Sequence, residues 1–296
     1  MRLGIDLGGT KISWMLEDGS KVVSHERVPT PQDYEGLCAL IKQIVVAADQ
    51  LLGTRVLVGI GIPGSVSPNT GLIRNANTNY LNDKNLVRDL ADLLGRNITI
   101  ANDANCLALS EAVDGAGAGA HLVFAVILGT GCGGGLAIGG KVWEGHGGVA
   151  GEWGHNALTR LDGFEQQTAP CWCGRYFCHE LFLSGTGLER THFRLHGEAS
   201  SGREIFLRAH QPDAQETIQR YVDQLARGLS SVVNVLDPEV IILGGGLSKQ
   251  PLLYELLPKA MDHYVFSDGH DVPILPAYHG DDSGVRGALW LTTSCY

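Results

Sequence analysis

The chain has 296 residues and a mass of 31.6 kDa, with 44% hydrophobic and 18% charged residues; this excludes a disordered chain or a peptide-sized binding module and fits two domains or one large α/β domain. A formal net charge of −10 and an isoelectric point near 5.5 leave no summed positive field for a nucleic-acid backbone or an anionic membrane surface. The longest apolar run, Leu122–Leu128, is far shorter than the roughly 20 residues of a membrane-spanning helix, and Asp6 interrupts the start before a signal-type apolar region develops, so a cytoplasmic protein is expected.

Taken in chain order, Leu3-Gly4-Ile5-Asp6-Leu7 reads as a strand that enters the turn Gly8-Gly9-Thr10-Lys11 and returns as Ile12-Ser13-Trp14-Met15-Leu16, turning again at Asp18-Gly19. Helical apolar spacing follows over Tyr34–Leu52, a buried strand over 56–62, a helix over Leu86–Leu94 and a short strand over 98–100. That strand ends in Ala101-Asn102-Asp103-Ala104-Asn105 and leads into a helix over 106–113. The glycine-rich stretch 115–119 is the expected hinge and boundary. Leu122–Leu128 then runs into Gly129-Thr130-Gly131-Cys132-Gly133-Gly134-Gly135 and resumes as Leu136-Ala137-Ile138, a second copy of the opening strand–turn–strand. Such an internal repeat predicts two related halves facing a cleft. A long helix over 216–236, a strand over 240–243 ending at Gly244-Gly245-Gly246, and a final helix over 284–291 complete the reading.

The 40 glycines, about 14% of the chain against a usual ~7%, gather at strand ends rather than in a linker. Backbone without a Cβ lets amides converge on an anion, so three such turns point to a phosphate-bearing nucleotide; one turn alone reads equally well as a tight hairpin. No Gly-x4-Gly-Lys-Ser/Thr loop occurs. Gly129-Thr130-Gly131-Cys132-Gly133-Gly134 matches Gly-x-Gly-x-x-Gly, but a strand follows where a dinucleotide site needs a helix, which argues against a nicotinamide dehydrogenase.

Asp6-Leu7-Gly8-Gly9-Thr10-Lys11, Leu128-Gly129-Thr130-Gly131 and Leu243-Gly244-Gly245-Gly246 resemble the two phosphate motifs and the adenosine motif of ROK-family sugar kinases. Gly61-Ile62-Pro63-Gly64-Ser65, Ala150-Gly151-Glu152-Trp153-Gly154-His155-Asn156 and His279-Gly280-Asp281 are most similar to the fructokinase, or manno(fructo)kinase, branch. The resemblance spans essentially the whole chain. It implies an α/β, actin-like ATPase fold, a duplicated ribonuclease H-like unit with two lobes around a central cleft. The expected lobes are 1–118 and 119–281, with a C-terminal helix of about 282–296 packing back on the first.

Phosphoryl transfer to an alcohol needs a carboxylate to take the hydroxyl proton. Asp103 is the candidate; by itself Asn-Asp-Ala-Asn also reads as a helix cap, and it is the resemblance that makes Asp103 the base and Asn102 its sugar-binding neighbour. Asp103 is expected to be ionised at neutral pH. Asp6 at the first turn is expected to hold water on Mg²⁺. The ATP and Mg²⁺ set implied is Gly4, Asp6, Gly8, Gly9, Thr10, Lys11, Thr130, Gly131, Cys132, Gly133, Gly134, Gly244 and Gly245. The sugar set implied is Gly64, Ser65, Asn77, Asn102, Asp103, Glu152, His155 and Glu180, since a hydroxyl-rich ligand is selected by pairing each hydroxyl.

Of the seven cysteines, three crowd into Cys171-x-Cys173-x4-Cys178, which argues against a disulfide framework. With His155 they make a Cys₃His set suited to tetrahedral, structural Zn²⁺. The family usually has glycine before the last cysteine, where this chain has Phe177; His179 follows and is a second candidate ligand. Cys38, Cys106, Cys132 and Cys295 read as packing residues.

The resemblance implies an ATP-dependent kinase of a hexose 6-hydroxyl, with D-fructose, giving fructose 6-phosphate, as the expected substrate. N-acetylglucosamine, mannose and glucose kinases share the catalytic motifs and are the alternatives. A sugar-responsive ROK regulator would carry an N-terminal DNA-binding domain, for which a first phosphate strand at Leu3 leaves no room. The expected partners are a sugar, a nucleotide and a second copy of the chain.

Overall fold

The computed structural model describes residues 1–269 and 271–293. Its architecture starts from the alternation in β1 (Arg2–Leu7), where Leu3, Ile5 and Leu7 are fully buried on one face and Gly4 and Asp6 take the other. β1 pairs antiparallel with β2 (Lys11–Asp18), which pairs with β3 (Lys21–Pro29). Sequence patterning missed β3, because this edge strand is largely exposed on both faces and shows no apolar alternation. Helix α1 (Tyr34–Leu52) lays Leu37, Ile41 and Val45 on the apolar side of β1, is capped by Asp33 at Gly36 N, and ends at Gly53 in the left-handed region.

β4 (Leu57–Ile62) joins β1 in parallel; a small hairpin of β5 (Ser65–Val66) and β6 (Ile73–Arg74) and helix α2 (Leu86–Leu94) precede β7 (Thr99–Asn102). The first sheet therefore runs β3-β2-β1-β4-β7. After α3 (Asp103–Asp114), β8 (Leu122–Leu128), β9 (Cys132–Ile138) and β10 (Lys141–Val142) repeat the antiparallel meander. Helices α4 (Glu180–Leu183), α5 (Gly185–His196), α6 (Gly202–Leu207) and α7 (Pro212–Leu236) follow, then β11 (Val240–Gly244), α8 (Pro251–Met261), β12 (Ile274–Pro276) and α9 (Ser283–Leu291). The second sheet runs β10-β9-β8-β11-β12, the same order as the first within its own half, so the duplicated actin-like fold is present.

Each half lends its last helix to the other. Leu107, Ala108 and Ala112 of α3 pack on β8, β9 and β11, while Val285, Ala288 and Leu289 of α9 pack back on the first sheet. Glycine makes these crossings possible: a Cβ on Gly59 of β4 would sit 1.9 Å from the Ala288 carbonyl, and one on Gly287 of α9 would sit 1.9 Å from that of Cys106. The fully buried Glu111 fastens the crossing, its carboxylate accepting from Ala116 N, Tyr278 N, His279 N and Ser283 Oγ. The 115–119 stretch is hydrogen-bonded to α3, Gly117 N also donating to the Glu111 carbonyl at 2.9 Å. Among the described residues no helix is long and apolar enough to cross a membrane. Cys295 and the end of the expected C-terminal helix lie outside the described residues.

Candidate active site and metal cluster

Between the lobes lies a cavity of about 330 Å³ lined by Asp6, Gly8, Gly9 and Lys11 of the first turn, Asn77, Asp103, and Gly244 and Gly245 after β11. Asp103 reaches it as the first residue of α3. The capping role falls to Asn102, whose Oδ1 accepts from Ala104 N at 2.9 Å and whose Nδ2 donates to the Gly64 carbonyl at 2.9 Å. Ala104 N also donates to Asp103 Oδ1 at 2.8 Å, yet burial, with the nearby Glu152 adding to it, raises the Asp103 pKa to about 6. At neutral pH it remains mostly ionised. Burial and the Asp103 charge push Asp6 up to about 7, with Lys11 opposing. Two hard oxygen donors that disfavour each other's charge, beside glycine backbone, fit a magnesium ion that keeps its waters and travels with a triphosphate.

The second turn is built differently. Gly129 N donates to the Gly131 carbonyl at 3.1 Å, and Glu180 Oε2 accepts from Cys132 N at 3.0 Å. A Cβ on Gly131 would meet that carboxylate oxygen at 2.7 Å. Glu180 Oε1 in turn accepts from the Trp172 indole at 2.6 Å. Behind it, the ligand atoms of His155, Cys171, Cys173 and Cys178 all lie within 4.8 Å of one another. A tetrahedral zinc with bonds of about 2.3 Å spaces its sulfurs about 3.8 Å apart. Cys173 and Cys178 Sγ are 3.6 Å apart and Cys171 Sγ is 3.8 Å from His155 Nδ1, so this donor set fits the metal.

A ROK-family model matches residues 2–294. The chain belongs to the ROK family. It is 41% identical to the N-acetyl-D-glucosamine kinase of Haemophilus influenzae, over 99% of this chain and 100% of that protein, and 39% identical to an N-acetylgalactosamine kinase of Shewanella, over 98% and 96%. Among solved structures, the ROK hexokinase from Thermus thermophilus superposes with a TM-score of 0.86 at 31% identity, covering 98% of this chain and 97% of that one.

Placed on this ROK fold, the residues expected at the nucleotide separate into two groups. Asp6, Gly8, Gly9, Lys11, Gly244 and Gly245 line the cavity, and the exposed Thr10 and Thr130 stand on the two turns. Gly4, Gly133 and Gly134 do not face it. Gly4 lies under α9, where a Cβ would meet the Val285 carbonyl at 2.5 Å; Gly133 and Gly134 are strand residues of β9, and a Cβ on Gly134 would meet the Trp153 ring at 2.6 Å. Cys132 is buried and its N–H is taken by Glu180, which leaves Gly129, Thr130 and Gly131 as the second turn.

Of the sugar set, Asn77 and Asp103 line the cavity and Asn102 ties the Gly64 turn to α3, while Glu152 is close enough to Asp103 to be felt as charge. Gly64 needs its φ of +79°, with the Arg74 carbonyl 2.5 Å from where a Cβ would stand. Ser65 turns to Arg74, accepting from its Nε at 3.3 Å. His155 presents Nδ1 to the sulfurs, which leaves Nε2 for a hydroxyl. His179 is excluded from the metal set: it is buried against Trp153, ring centroids 5.0 Å apart. Phe177 has φ +60°, a left-handed backbone that explains the family's usual glycine there. Sequence reading missed Arg74, which crosses between lobes to the Gly147 and Gly148 carbonyls at 2.5 and 3.2 Å, and Gly284, whose backbone abuts the Asp6 carboxylate. A lone arginine on a two-residue strand carries no signal of the loop it will meet.

Proposed function

We propose that this ROK protein transfers the γ-phosphoryl group of Mg·ATP to the 6-hydroxyl of N-acetyl-D-glucosamine. The observation that carries the chemistry is Asp103 at the head of α3, facing Asp6 and the glycine turns across one cavity. Its carboxylate takes the hydroxyl proton while the hydroxyl oxygen attacks the γ-phosphorus and ADP leaves. Mg²⁺ bound with the nucleotide would neutralise phosphate charge, held through water by Asp6. Lys11 and the backbone of Gly8 and Gly9 would meet phosphate oxygens, and Gly244 and Gly245 the adenosine.

The choice of sugar rests on relatives of matching length at 37–41% identity that act on 2-acetamido hexoses, which favours N-acetylglucosamine over the fructose suggested by motif resemblance. Glu152, Glu180 and His155 Nε2 would pair the sugar hydroxyls, and a zinc ion on His155, Cys171, Cys173 and Cys178 would hold that recognition loop in place. An ADP-release assay across N-acetylglucosamine, N-acetylgalactosamine, glucose, mannose and fructose tests the reading. The highest kcat/KM is expected with N-acetylglucosamine; a preference for fructose reverses the substrate assignment, and no turnover with any sugar removes the kinase reading.

A further inference from the structure

Away from the cleft, where the last turn of α5 meets the first turn of α7, a second set of ligating side chains converges. His192 is fully buried, and its Nδ1 lies 2.8 Å from Thr217 Oγ1. Thr217 gives its hydroxyl hydrogen to the Asp213 carbonyl at 3.0 Å, so its oxygen accepts from His192 and Nδ1 carries the imidazole hydrogen. Nε2 is therefore the lone-pair nitrogen. It has no hydrogen-bond partner among the described residues, and it faces Asp213 Oδ2 at 3.9 Å. The ligand atoms of His192, Glu198 and Asp213 all lie within 4.8 Å of one another.

Three acceptors turned toward one point repel unless positive charge offsets them; Arg208 lies against the two carboxylates, but the His192 lone pair is left without a donor. His196, one turn further along α5, lies tilted against His192 with ring centroids 4.9 Å apart, and its Nε2 is likewise buried and without a hydrogen-bond partner among the described residues. The spacing of four residues places both rings on one helix face.

We propose that His192, Glu198 and Asp213 form a second metal site, for a divalent transition ion of the zinc, cobalt or nickel type. Imidazole with carboxylate suits these ions, and the set contains no sulfur, unlike the cluster behind Glu180. Bound there, the ion would tie the end of α5, the 197–201 connection and the start of α7 into one corner of the second lobe.

Arg208 competes for the position. Its Nη1 lies 3.0 Å from Glu198 Oε1 and 3.8 Å from Asp213 Oδ2, so it offsets carboxylate charge, but it makes no bond to the His192 lone pair. A metal ion would displace the guanidinium toward Ser200, to which Nη2 already donates at 2.8 Å, and into the adjoining cavity of about 310 Å³ that Arg208 lines with Glu198 and Ser200.

Cobalt titration of the metal-stripped full chain distinguishes the two sites, because thiolate-bound Co²⁺ absorbs intensely in the near ultraviolet and nitrogen–oxygen sites add only weak visible bands. The expected result is two equivalents of Co²⁺, the second without further thiolate absorption. Glu198→Gln combined with Asp213→Asn should abolish the second equivalent and retain the first, whose thiolate band reports that the chain is folded. Arg208→Met should tighten the second equivalent at least tenfold. One equivalent in both the unaltered and Arg208→Met chains, or a second equivalent indifferent to the Glu198→Gln, Asp213→Asn pair, overturns the proposal.

Discussion

The two strand–turn–strand units occupy the same place in their sheets and carry opposite chemistry. Around the first turn stand Asp6 and Lys11, with Asp103 arriving from β7; the second is Gly129-Thr130-Gly131, and the carboxylate beside it, Glu180, folds in from α4 and is already bonded to Cys132 N and Trp172. A triphosphate cannot be flanked by free carboxylates on both sides without a cation for each, so the duplicated fold divides the work. In the proposed kinase the first half supplies charge for the transfer, and the second supplies neutral amides and a cysteine-rich loop at the sugar.

If that division holds, damage to the halves should separate in kinetics. Asp103→Asn should lower kcat by about 10²–10⁴-fold while the KM values for sugar and ATP change little, and kcat/KM of the unaltered enzyme should fall as pH drops through about 6, where Asp103 takes up a proton. A kcat within a small factor of the unaltered enzyme would break the comparison at its strongest point. Cys178→Ser strikes the other half. It should remove the metal bound by the thiolate cluster, raise the KM for sugar by about 10–100-fold and leave the KM for ATP nearly unchanged, measured alongside metal content by mass spectrometry. Equal rises in both KM values would mean that the loop does not serve recognition specifically.

The smallest effect concerns Asp6, and here the sign runs opposite to function. A carboxyl raised from 3.8 to about 7 by burial favours the folded state while protonated, so this stabilisation is complete below about pH 4 and is lost as pH rises through 7. Asp6→Asn, though impaired in catalysis, should melt about 2–4 °C higher than the unaltered ligand-free chain at pH 8 and nearly level with it at pH 4. Equal melting temperatures at pH 8 would place Asp6 in contact with solvent and detach it from the desolvated cleft.

Local pattern was enough for the repeated strand–glycine turn–strand, the long α7 and the Cys171-x-Cys173-x4-Cys178 spacing, because period and turn chemistry are properties of neighbouring residues. Asp103 was within reach of local pattern only as a helix start after a strand; its reading as the base came from the resemblance to ROK kinases. What each glycine is for was not legible. Gly8 and Gly9 open onto the cavity, whereas Gly4 and Gly134 admit α9 and Trp153, and only the packing of distant segments decides between those uses. The exchange of α3 and α9 between lobes, the fastening at Glu111, the Arg74 contact across the lobes and the meeting of His192 with Glu198 and Asp213 belong to the same class. Each joins residues through long-range burial, and burial is settled by how the whole chain closes its core.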